Sequence, residues 1–176
     1  SDTSRKDEGT SRIKVNWQIT DNTKIKFLVS QVDLDDPADI WTIDGSLNTL
    51  SDRPGMDSQK TNSYGIKVFH SFDGFEFQSF TSSTDTDVVF SYDADWGNTD
   101  SHFPYVYDYF SETLRDRRSF NQEFRIVSDP ADFLQDSFIE WVVGANYLEL
   151  KESNFKKDDG LYGDPTDPFG PYASAS

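Results

Sequence analysis

The chain has 176 residues, the length of one ordinary domain. It sets 16 Lys+Arg against 32 Asp+Glu, a formal net charge of −16, which excludes the basic face a nucleic-acid binder needs to displace phosphate counterions. Aromatic residues at 15% exclude an acidic disordered tail, and the absence of Cys excludes thiolate catalysis, thiolate metal sites and a disulfide framework.

The sequence opens at Ser1 and closes on Pro171-Tyr172-Ala173-Ser174-Ala175-Ser176, with Met56 as its single Met and no signal peptide. It is expected to be a piece of a longer polypeptide, so missing targeting segments carry no weight. No run of about eighteen apolar residues exists, so no transmembrane helix is expected. That leaves open a membrane β-barrel, whose alternating strands score poorly on hydropathy.

In chain order, Ile13, Val15, Trp17 and Ile19 alternate with Lys14, Asn16, Gln18 and Thr20, the period-two signature of a strand with one apolar face. Ile25, Phe27 and Val29 repeat it. A three-residue loop, Asp21-Asn22-Thr23, pairs Thr20 with Lys24, Ile19 with Ile25 and Trp17 with Phe27, so the two apolar faces coincide in a tight hairpin. After Gln31 the phase slips to Val32 and Leu34, which suggests a bulge. A third strand carries Tyr64, Ile66, Val68, His70 and Phe72 on one face. Asp73-Gly74 then favours a type I′ hairpin, in which both central residues take positive φ. The fourth strand starts at Phe75 and Phe77, but its middle, Ser79 to Asp87, is mostly Ser and Thr, poor material to face lipid.

In the fifth strand Phe120, Phe124 and Ile126 share a face, and Glu123 and Arg125 share the other, where an ion-pair ladder is expected. A short connection, Asp129 to Asp136, leads to a sixth strand with Ile139, Trp141, Val143, Ala145 and Tyr147 on one face. No segment shows a period of 3.6, so helix content is expected to be low. The predicted strands are 11–20, 24–34, 62–72, 75–92, 111–128 and 137–152. The predicted long loops are 35–61, 93–110 and 153–176. Loops of that length are uncommon inside compact domains. Here they fall at every second connection and so at one end of the sheet. Antiparallel strands with brief turns at one end and long loops at the other are the signature of an outer-membrane barrel. Asp residues crowd the same end: Asp35, Asp36, Asp39 and Asp44 in the first loop, and Asp93, Asp95, Asp100 and Asp108 in the second.

Three stretches resemble the barrel of TonB-dependent receptors, especially those of marine and plant-associated Gram-negative bacteria. They are Arg12 through Thr23; Tyr92-Asp93-Ala94-Asp95-Trp96-Gly97-Asn98 followed by Tyr107-Asp108-Tyr109-Phe110; and Asn121 through Ser128 followed by Trp141-Val142-Val143-Gly144-Ala145. They span Arg12 to about Glu152, and each is a barrel-strand pattern rather than a catalytic motif. The resemblance implies a barrel of roughly two dozen antiparallel strands around an N-terminal plug. Such a receptor takes up a ferric siderophore, cobalamin or an oligosaccharide with energy from the TonB complex. Neither the plug nor the TonB-contacting box is in this sequence. The fold expected on this basis is all-β. It is an up-and-down meander of about six long strands, forming part of a transmembrane barrel with periplasmic turns and extracellular loops, in the outer membrane. Its expected partners are membrane lipid, the TonB complex through the absent plug, and a small nutrient, with no nucleic acid. Six strands are too few to close such a barrel.

No enzyme chemistry, catalytic residue or cofactor is expected. Carboxylate pairs abound but nothing selects a glycosidase pair, and Thr81-Ser82-Ser83-Thr84 lacks a Gly-x-Ser-x-Gly elbow. His70 and His102 stand without Cys, so a zinc site would need carboxylates, and His70 reads as a wall side chain. Asp93, Asp95 and Asp100 have oxygen ligands at short spacing, a calcium arrangement without EF-hand order; loop solvation is the ordinary reading. Phe103, Tyr105, Tyr107 and Tyr109, with Trp41 and Trp96, read either as an aromatic girdle at the outer interface or as a ligand platform at the mouth. The rival fold is a secreted or periplasmic carbohydrate-binding β-sandwich, which would hide the apolar face against a second sheet.

Overall fold

A computed structural model describes residues 5–39, 41–128, 140–164 and 173–175. They form one antiparallel sheet in sequence order, β1 to β7. The strands are β1 (Glu8–Thr20), β2 (Thr23–Pro37), β3 (Met56–Phe72), β4 (Phe75–Asp93), β5 (Val106–Ser128), β6 (Val142–Gly163) and a short β7 (Ala173–Ala175). The sheet is a meander and is not closed: β1 pairs only with β2, and β6 pairs on its far side only through Gly160–Tyr162 with β7. No second sheet is stacked on it among the described residues.

Strict alternation sorts the side chains into two faces, and the register shows what each contains. On one face the rows run across the sheet as Trp17, Ile25, Val68, Ser79, Phe124, Ala145; then Val15, Phe27, Ile66, Thr81, Gln122, Tyr147; then Ile13, Val29, Tyr64, Ser83, Phe120, Glu149. Below them lie His70, Phe77, Ile126 and Val143, then Phe72 beside Phe75. The next row up is polar throughout: Ser11, Gln31, Asn62, Asp85, Arg118, Lys151. The apolar band therefore ends within one step of the register. Its side chains are in the open, with Ile13 at 66% exposure and Trp17 at 56%, and no apolar residue among those described is buried.

The other face is hollowed and mixes charged and polar side chains with apolar ones such as Leu28, Phe69 and Phe80. Lys14, Asn16, Lys26, Lys67, Asn121 and Arg125, from β1 to β5, line one cavity of about 710 Å³. Glu123 pairs with Arg125 on this face, as the alternation predicts.

Several expectations are corrected. The first hairpin turns on Asp21 and Asn22, with Thr20 opposite Thr23 and a register shift between Gln18 and Thr20. Trp17 therefore faces Ile25, not Phe27, and the shift is even, so the apolar faces still coincide. No bulge follows Gln31: β2 keeps one register with both neighbours, and Val32 and Leu34 simply lie on the hollowed face. Asp73 does not take positive φ although Gly74 does (φ 82°), so the second turn is not type I′. Only Gly adopts that region without steric cost.

Strands also run longer than predicted: β3 begins at Met56, β5 at Val106, and β6 extends to Gly163. The predicted loops 35–61 and 93–110 shrink to 38–55 and 94–105. The start of the sixth strand moves from 137 to Val142. Ile139 and the whole predicted connection Asp129–Asp136 lie outside the described residues. On either side of those residues, Ser128 N–H donates to the Trp141 carbonyl at 3.0 Å.

Candidate ligand surface at the loop end

The two long loops are interlocked into one cap. The Asp39 carboxylate is buried and accepts the Asp93 N–H at 2.9 Å and the Gly55 N–H. Asp93, fully buried, accepts the Asp95 N–H at 3.3 Å through Oδ1. Asp95 accepts the Gly97 N–H at 2.9 Å and the Tyr109 N–H at 2.7 Å. The loops meet again where Asp52 N–H donates to the Gly97 carbonyl at 3.0 Å and the Asn98 amide to the Leu50 carbonyl at 3.3 Å. Arg53 ties this cap to β5 and β6, contacting Asp108 at 3.3 Å and Asp159 at 3.7 Å while its guanidinium lies 4.6 Å from the Phe110 ring centroid.

The acidic residues therefore act as staples on backbone N–H groups, the local bonding Asp favours in turns. Burial pushes the Asp95 carboxyl above the usual range, against the pull of the Tyr109 N–H. Asp93, Asp95 and the exposed Asp100 do not converge: among the described residues no three such groups are placed to hold a metal ion.

The six aromatic candidates separate into two groups and one isolated ring. Trp41 and Trp96 lie 6.5 Å apart, tilted by 36°, and Trp96 sits at φ 59° on the apex of the Asp95–Gly97 turn. That region is uncommon for a large side chain and marks a position held by its surroundings. Tyr107 is the hub of the second group, 4.5 Å from Tyr109, 5.3 Å from His102 and 6.2 Å from Tyr162. His102, Tyr105, Tyr107, Tyr162 and Asp164 line a shallow hollow of about 460 Å³. Phe103 is 84% exposed and makes no ring contact.

Sequence reasoning missed Tyr162 because it lay in a predicted tail. The register places it opposite Tyr107, and a strand continued through Leu161-Tyr162-Gly163 would have revealed it. His102 was weighed only as a metal ligand; its structural place is against Tyr107, with Nε2 3.4 Å from the Asp95 carbonyl. No protein-family model, curated protein or solved structure matches the chain.

Proposed function

We propose that this chain is part of the wall of an outer-membrane β-barrel of the TonB-dependent receptor kind, which takes up a scarce nutrient. The observation that carries this reading is the apolar band. Five register rows, set two residues apart, span about 27 Å along the strands. At the tilt usual for such barrels this is about 20 Å of height, close to the roughly 25 Å lipid-facing band. A sheet of this size that hides no apolar side chain among its described residues lacks the main driving force for folding in water. A bilayer supplies the missing apolar environment.

The opposite face, wet and charged, suits a lumen. The interlocked cap places its aromatic rings beyond the band, where a ferric siderophore, cobalamin or an oligosaccharide would first be met. The rings offer flat apolar faces for stacking. The TonB-coupled energy source rests on the sequence resemblance, with the plug supplied by another part of the receptor. Two strand edges are left open, so further strands must complete the wall.

Tryptophan quenching tests the reading. In vesicles of lipid brominated on its acyl chains, Trp17 fluorescence should fall strongly while Trp41 and Trp96 are spared; single-Trp variants separate the signals. Equal quenching of all three, or none at Trp17, would overturn it.

A further inference from the structure

We infer that the cavity in the hollowed face binds an anionic, polyhydroxylated ligand, an acidic oligosaccharide, through Lys26 and Lys67. The inference needs only the single sheet and not the membrane. The chain has twice as many carboxylates as cations, and ten of its cations are ion-paired with described carboxylates. Those with no described carboxylate in ion-pair range are Arg12, Lys14, Lys24, Lys26, Lys67 and, on the opposite face, Lys60. All but Lys60 lie on the hollowed face, toward the turn end of the sheet.

The register sharpens the point. Lys26 lies directly opposite Lys67, and Lys14 is one row away on β1. Like charges directly opposite destabilise a sheet. The two ammonium groups lie on adjoining aromatic rings, Lys26 5.0 Å from the Phe69 centroid and Lys67 5.1 Å from that of Phe80, with the rings 5.8 Å apart. No described carboxylate bridges them: Glu123, the acid in the cavity wall, is taken by Arg125. An uncompensated cation pair in an acidic protein, set in a cavity of about 710 Å³, is the electrostatic outline of an anion's seat.

The remaining wall sets the ligand class. Asn16, Ser82 and Asn121 present amides and hydroxyls around the cations, beside the apolar Leu28, Phe69 and Phe80. Such neutral groups match sugar hydroxyls, whereas a bare polyanion would have no use for them. Charge-assisted hydrogen bonds from the ammonium groups would hold the carboxylates.

The test is calorimetric titration of the full chain in detergent micelles with tetragalacturonate, neutral galactotetraose and inositol hexakisphosphate. Tetragalacturonate should bind, and more weakly as salt rises. Lys26→Gln and Lys67→Gln should each weaken it about ten-fold, the effect of one lost charge-assisted bond. Lys60→Gln should leave it unchanged. Without ligand, Lys67→Gln should raise thermal stability, which a merely structural lysine would not do. Equal affinity for the neutral tetramer, no binding, or no loss in the Lys variants would overturn the site. Tighter binding of inositol hexakisphosphate would overturn the sugar class. None of these results bears on the Trp17 quenching, so the two readings fail separately.

Discussion

Three residues carry consequences that belong to single atoms. Gly55 sits where the first loop re-enters β3, and a Cβ there would meet the Ser91 carbonyl oxygen at 2.1 Å. The obstacle is backbone and cannot rotate away. Gly55→Ala should therefore push β3 from β4 at the loop end and loosen the Asp39 staple, read as lost amide protection at Asp93 with the turn end unaffected. Gln122 lies in the apolar band, where its Oε1 accepts the Thr81 hydroxyl at 2.6 Å and its amide reaches Ser79 Oγ at 3.2 Å. Thr81→Val should leave Gln122 short of a partner and cost about 1–3 kcal/mol in chemical denaturation, whereas the double variant Thr81→Val with Gln122→Leu, which removes both partners, should be closer to neutral.

Asp95 gives a pH dependence with a definite sign. Its carboxyl is raised in the folded state, chiefly by burial, so the folded chain holds that proton more tightly than the unfolded chain does. Its contribution to the cap is greatest below the ordinary carboxylate range and declines as pH rises through the raised value. Opening free energies from hydrogen exchange at the Gly97 and Tyr109 amides should accordingly fall as pH rises from the ordinary carboxylate range through the raised value. A rise over that window would contradict the assignment.

At the scale of the element, each long strand is two strands in series: a segment inside the apolar band and an extension beyond it. β5 has 23 residues, roughly 75 Å of extended chain, far more than a bilayer crossing needs. Above the band both faces are wet, and ion pairs such as Arg117–Glu152 at 2.6 Å and Arg118–Asp85 at 3.7 Å replace apolar contacts. This explains what was legible in the sequence. Ile13 to Ile19, Tyr64 to Phe72 and Phe120 to Ile126 announced themselves because apolar side chains alternate there with polar ones. Met56 to Thr61 and Ser153 to Gly163 did not, because period-two contrast vanishes when both faces are polar. The aromatic candidates around Tyr107 were legible as a run, but Tyr162 arrived only through the register of an extension that carries no signal. Lys26 and Lys67 alternated correctly in the sequence, yet their opposition depends on which residues pair across strands. The Ser and Thr run of β4 forms an ordinary strand because β3 and β5 pair with it over its full length.

The same division predicts how charge should be tolerated along β1 and β2. Val15→Arg or Phe27→Arg, in the middle of the band, should cost about 2–4 kcal/mol of folding free energy in lipid, while Gln31→Arg, one row past its edge, should cost about 0–1 kcal/mol. A soluble sheet would show no such step, because both positions would face water.

For the whole molecule, the account reduces to where the apolar face finds its environment. Among the described residues the sheet has no second layer, no buried apolar residue and two open edges, so water alone gives them neither a core nor closure. The interlocked cap holds the loops but buries polar groups, chiefly Asp39, Asp93 and Asp95, and cannot substitute for a core. The decisive measurement is sedimentation of the chain, with far-ultraviolet circular dichroism on the same samples, in buffer and in detergent micelles. The account predicts sheet signal from a monodisperse species in micelles and aggregation in buffer. A folded, sheet-rich monomer sedimenting freely in buffer without detergent would contradict it.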